Sequence, residues 1–138
     1  MSLYRIFDIA GSAMSAQSVR LNTTASNLAN ADSVSSSEGD TYKARHPVFA
    51  AALDEARQQQ AEGAAVKVLG IVESDKPLVA EYNPDHPMAN AEGYIFKPNV
   101  NVMEEMANMM SASRAYQTNV QVADAAKQML SRVLTLGQ

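Results

Sequence analysis

The sequence holds no cysteine and no tryptophan, and its 138 residues include two histidines, three phenylalanines and five tyrosines. Without cysteine there is no disulfide framework, no thiolate zinc site and no cysteine nucleophile, while the redox compartment stays open. No run of about 18 apolar residues occurs, so no transmembrane helix is expected. Lysine and arginine form no stripe and the net charge is -4. Neither nucleic acid nor an anionic membrane is indicated as a partner. Asp8 interrupts the early apolar residues, and Ser12, Ser15, Gln17 and Ser18 follow. The start therefore does not read as a cleaved secretory signal.

Groups suited to chemistry are equally scarce. His46 and His86 each precede a proline. Asp85 and His86 can be drawn as an orienter and a base, the basis of a small-hydrolase reading. No nucleophile, Gly-rich oxyanion loop or metal-ligand spacing accompanies them. Asn83-Pro84-Asp85-His86-Pro87 reads more simply as a rigid turn. The adjacent acids Asp54-Glu55 and Glu104-Glu105 diverge on a helix and read as solvated surface. No P-loop, GxGxxG or HExxH is present. No catalytic residue, metal, cofactor or small-molecule substrate is expected.

What the chain does have is helical periodicity at both ends. Val102, Met106, Met109, Ser113, Tyr116, Val120, Ala123, Lys127, Leu130 and Leu134 follow one unbroken 4-3-4-3 spacing, the seam of a supercoiling helix. Asn101 is placed to cap its start, with Glu104 in box-like register, and Gly137 to close its end. Such a rod is roughly 50 Å long, too long for the core of so small a domain. Met103, Met110, Val122, Met129 and Val133 lie off the seam, so the apolar surface is wide enough for several neighbours.

The start repeats the pattern through Leu3, Phe7, Ala10, Met14, Gln17, Leu21, Thr24 and Leu28, with Ser2 as a cap. Gly11, Ser12, Ala13, Ser15, Ala16 and Ser18 make this helix thin. Alone it is marginal, because packing supplies most helical stability, so the two ends read as halves of one packing unit.

Between them, Ser33 to Asp40 is small and polar and reads as a surface loop or disordered segment. Thr41 to Phe49 reads as extended chain, and Ala50 to Glu62 as a possible helix. Val66–Val72, Leu78–Tyr82 and Tyr94-Ile95-Phe96 read as strands of a small hairpin or three-stranded sheet. Four segments follow: an N-terminal helix over 1–32, a Ser-rich loop and connector over 33–63, a β segment over 64–97, and a C-terminal helix over 98–138. The expected fold class is mainly α, with two long terminal helices packed as a coiled-coil domain around a small β-containing middle.

Two stretches carry a resemblance. Ala25-Ser26-Asn27-Leu28-Ala29-Asn30-Ala31 is similar to the signature that ends the N-terminal helix of bacterial flagellar axial proteins. Ser111-Ala112-Ser113-Arg114-Ala115-Tyr116-Gln117-Thr118-Asn119-Val120 is similar to their C-terminal signature. Tyr42-Lys43-Ala44-Arg45, His86-Pro87, Ala91-Glu92-Gly93-Tyr94, Pro98-Asn99-Val100 and Leu134-Thr135-Leu136-Gly137-Gln138 resemble the proximal-rod subfamily, in order. Many axial proteins continue directly from the first signature with Thr-x-Gly-Tyr, where this chain inserts its Ser-rich stretch. The resemblance implies an axial coiled coil lining a tube, with self-association and contacts to FlgB-, FlgF- and FlgG-type rod subunits and a FliE-type junction protein. It implies export by the flagellar type III apparatus without a cleaved signal, a place in the basal-body rod across the periplasm, and no enzymatic activity. The expected assembly interface is Leu3, Phe7, Ala10, Met14, Leu21, Leu28, Met106, Met109, Tyr116, Val120, Ala123, Leu130 and Leu134. The family-motif positions are Asn27, Leu28, Ala29, Asn30, Ser113, Arg114, Tyr116, Gln117 and Asn119. The rival reading is a soluble coiled-coil adaptor or export chaperone, which would fold alone as a dimer.

Overall fold

A computed structural model of the chain describes residues 3–52 and 63–137. In chain order it runs α1 (Leu3–Ala29), β1 (Arg45–Ala51), β2 (Val66–Glu73), β3 (Val79–Tyr82), β4 (Tyr94–Lys97) and α2 (Val102–Leu136). The expected fold class holds: two long terminal helices with a small antiparallel β middle.

Both helices end on side chains. Asn30 donates both its backbone N–H and its Nδ2 to the Ser26 carbonyl, at 3.2 and 2.8 Å, closing the last turn of α1. Asn101 Oδ1 accepts from the backbone N–H groups of Met103 and Glu104 at 3.1 and 3.2 Å, capping α2 as its position suggests. Glu104 and Glu105 fill the first turn, where the helix dipole favours anions. The expected cap Ser2 lies outside the described residues.

α1 and α2 pack antiparallel. Arg20 of α1 donates to Asn108 of α2, and Asn27 donates to Glu105, so ascending numbers on one helix meet descending numbers on the other. With 27 and 35 residues the helices are about 40 and 52 Å long. The last turns of α2 therefore run past the start of α1, and residues 131–137 are all exposed.

The strands pair differently from the expected arrangement. β1 pairs with β2 and β3 with β4, in two separate antiparallel sheets, rather than β2 with β3. Asn99 holds the chain after β2 away from a β2–β3 turn, accepting from Ala44 N–H and donating to the Ser74 and Lys76 carbonyls. In β2, Gly70 faces Val48 and Val68 faces Phe49, which leaves Leu69 as the extra residue of a bulge. The bulge reverses the alternation of β2 halfway along and lets the ribbon follow α1. The expected helix over 50–62 loses Ala50 and Ala51 to β1 and Ala52 to a backbone bond with the Ala65 carbonyl; its remainder, 53–62, lies outside the described residues.

The Ser-rich stretch is folded. Ser35 exchanges backbone hydrogen bonds with Phe96 of β4 at 3.0 and 2.9 Å. Ser37 Oγ donates to Asp40, and Thr41 Oγ1 donates to the Ser37 carbonyl. The β3–β4 hairpin is held by an edge-to-face contact of Tyr82 and Tyr94, centroids 5.2 Å apart, and by the Glu81–Lys97 ion pair. Gly93 has φ +82°, and a Cβ there would stand 2.8 Å from the Tyr82 ring, so both conformation and space call for glycine.

The apolar core is small: Ala10, Ala16, Ala44, Ile95, Ala112 and Ala126. The two largest fully buried side chains are Ile95 and Asn27, one of them polar.

Candidate assembly surface and its polar junction

The residues that organise the molecule sit where α1 ends and α2 begins. Asn27 is fully buried and uses its whole hydrogen-bonding capacity. Its Oδ1 accepts from Tyr42 O–H at 2.8 Å and Arg45 N–H at 2.9 Å. Its Nδ2 donates to the Arg45 carbonyl at 2.7 Å and to Glu105 Oε2 at 3.0 Å. Ser26 Oγ lies 3.3 Å from the same Tyr42 hydroxyl. The first signature therefore has a physical role here: it presents an amide that no aliphatic side chain replaces.

Glu105 corrects the reading of the Glu104-Glu105 pair as solvated surface. Glu104 is exposed and lies 3.8 Å from Lys76 Nζ, but Glu105 is only 3% exposed. Its second oxygen lies 3.9 Å from His46 Nδ1. A carboxylate is costly to bury unless paired, and the partner responsible is 78 residues away in sequence. Sequence reasoning missed Glu105 and Asn99; the available signal was Asn27 itself, a polar side chain on a helix face otherwise turned inward.

Above this junction α2 is unevenly clothed. Its buried line runs through Glu105, Ala112 and Ala126, with Asn108, Asn119, Ala123 and Leu130 half-buried beside it. The 4-3-4-3 seam keeps a constant offset from that line, since both repeat every seven residues: Met109, Tyr116, Ala123 and Leu130 lie about 40–60° round the helix from it, and Met106, Val120 and Leu134 about 100°. Val102, Met106, Tyr116, Val120 and Leu134 of the seam are consequently exposed. A second exposed apolar flank, Val122, Met129, Val133 and Leu136, lies on the other side. Small residues bury α2 against α1, and bulky ones face outward.

Among the expected interface residues, Ala10 is buried, and Leu3, Phe7, Met14, Leu21, Leu28, Met109, Ala123 and Leu130 are half-buried. Met106, Tyr116, Val120 and Leu134 are exposed. Of the motif positions, Asn27 is in the junction and Asn30 caps α1. Leu28, Ser113 and Asn119 are half-buried, while Ala29, Arg114, Tyr116 and Gln117 are exposed. Arg114 lines a shallow hollow on the outer side of α2 with Ala107, Met110, Ser111, Ala115 and Thr118. Among the described residues no group of three or more potential metal ligands occurs, and no helix is long and apolar enough to cross a membrane.

A helix pair with a small core and broad apolar flanks defines a class: a structural subunit completed by its neighbours. Comparison with known proteins gives the same class. A family described as "Flagella basal body rod protein" matches residues 7–35, and one described as "Flagellar basal body rod FlgEFG protein C-terminal" matches 91–136. The basal-body rod proteins FlgC of Salmonella typhimurium and Yersinia enterocolitica are 51% and 49% identical to this chain over 138 residues, covering all of both sequences. FlgC of Buchnera aphidicola from Baizongia pistaciae is 37% identical over 140 residues, again at full coverage. The chain belongs to the FlgC family of flagellar basal-body rod proteins and is a structural subunit of the rod. Its place is the basal body, assembled with other flagellar rod components.

Proposed function

We propose that this subunit builds the proximal, torque-transmitting part of the rod by packing α2 against neighbouring helices. The observation that carries this is the exposed apolar seam, Met106, Tyr116, Val120 and Leu134, lying beside an internal interface made mostly of alanine. Burial of such surface is worth about 25 cal/mol per Å², and a densely packed interior deforms little, as a shaft requires. The thirteen seam residues form one continuous system, part closed within the chain and part closed by neighbours.

The neighbours are a second copy, FlgB-, FlgF- and FlgG-type subunits and a FliE-type junction protein. The subunit arrives through the flagellar type III apparatus and keeps its N-terminal segment. Retention is supported by the contact of α1 with α2, since removing α1 would strip α2 of its internal partner. It then serves in the periplasm-spanning rod, without enzymatic activity, cofactor, nucleic acid or small-molecule substrate. The four segments 1–32, 33–63, 64–97 and 98–138 divide the labour, the outer two for the tube and the inner two for its outside.

Met106→Asp tests the reading. Met106 is exposed in the single chain, so the fold loses less than about 0.5 kcal/mol. In the rod the same charge is buried without a partner, at a cost of several kcal/mol. The expected result is normal secretion of the variant with no swimming and no completed rods by electron microscopy. Normal swimming would remove the seam from the assembly surface.

A further inference from the structure

The four bonds of the Asn27 side chain join α1 to Tyr42, to Arg45 twice and to Glu105. Its carboxamide meets both the N–H and the carbonyl of Arg45, as a neighbouring strand would meet the first residue of β1. Its remaining N–H goes to Glu105 of α2. Glu105 in turn faces β1 with its other oxygen, at His46. One α2 side chain thus spans α1 and β1 together. The chain leading into α2 repeats the connection: Asn99 accepts from Ala44 N–H beside β1 and donates to the Ser74 and Lys76 carbonyls just past β2.

We infer that this junction is a conformational latch: α1 already holds the β1–β2 layer through Asn27 and through Ser12, which accepts from Val66 N–H, and docking of α2 delivers Glu105 to Asn27 and tightens that hold at Arg45. The physical basis is coupling among buried polar groups. Asn27 orders Arg45 through two bonds, and the bond from Asn27 to an anion is stronger than one to a neutral acceptor. The members polarise one another. Withdrawing α2 leaves an amide N–H without its partner and opens the pocket to water, which competes for the Arg45 backbone. Pairing of the two chain ends is thereby communicated to a layer that neither end contains. The inference concerns the single chain; its exchange test is independent of the rod reading, and its swimming test rests on it.

Amide exchange on the full-length chain tests it. In Glu105→Ala the Arg45 amide and the β1–β2 ladder should exchange about tenfold faster, the cost of one orphaned buried donor. The β3–β4 ladder, which touches neither residue, should hold its rate. Glu105→Gln keeps an oxygen for Asn27 and should stay within about threefold of the parent. An unchanged Arg45 amide in Glu105→Ala, or an equal acceleration in every element, would overturn the latch. A second arm moves the charge from one partner to the other in cells. Asn27→Asp sets two carboxylates against each other and should stop swimming, and adding Glu105→Gln supplies a donor opposite Asp and should restore part of it. A double variant that swims no better than Asn27→Asp alone would equally overturn the inference.

Discussion

Ala112→Leu probes how tightly the helix pair is closed. Arg20 and Asn108 bond across the pair at 2.8 Å. Ala112, four residues on, is therefore level with Ala16, four residues back. Ala112 and Ala16 are 0% and 2% exposed, so a longer side chain at 112 has no open surface to turn to. Leucine adds three carbons where none fits. Overpacking of this kind costs about 1–3 kcal/mol, part of it paid by lengthening the nearby Arg20–Asn108 and Asn27–Glu105 bonds. Small domains lose about 1–3 kcal/mol of stability per molar urea, so the unfolding midpoint should fall by about 1 M. The assay is urea denaturation of the purified chain followed by circular dichroism at 222 nm. A midpoint equal to or above that of the parent would show that the two helices are not held at alanine distance.

Two further expectations concern the middle of the chain. Gly93→Ala forces a side chain into left-handed backbone and against the Tyr82 ring. It should cost at least about 1–2 kcal/mol, read as a lower thermal midpoint with the Tyr82–Tyr94 contact broken in aromatic NMR signals. Deleting Ser35 to Ser37 removes the Ser35–Phe96 bridge and the Ser37–Thr41 turn. Counted basal bodies should then lack completed rods, although a loop acting only as a tether would tolerate the change for about 0.6 kcal/mol per doubling of length; normal rod numbers would mean that it is a tether.

The two helices were legible because 4-3-4-3 spacing, Asn101 and Asn30 are local signals. The positions of β2, β3 and β4 were legible for the same reason, since β-branched runs bounded by turn residues need no distant information, whereas β1 was read only as extended chain running into a possible helix. Strand partners were not. Adjacent strands usually pair, and they do here, but with β1 unrecognised the partner left for β2 was β3, and nothing near Asp75-Lys76-Pro77 announces that Asn99 will claim the carbonyls around it. The seam was read from bulky residues, but bulk marks the outward flank, and the internal contact is made by alanines that carry little periodic signal. Glu105 was hidden most thoroughly: an acid in the first turn of a helix has a sufficient local explanation in the dipole, and its buried partner Asn27 lies on the other helix.

Because the chain has no cysteine, single cysteines report their surroundings without background, and they give the most direct test of assembly through the outer seam. Cysteines placed at Met106 and at Leu134 should react rapidly with a water-soluble maleimide in the isolated chain, where both positions are exposed. In purified basal bodies the same two cysteines should be protected at least about tenfold, as expected for side chains buried at a packed interface. Equal reactivity in the chain and in the assembled rod would contradict the account, because the seam would then remain in water after assembly.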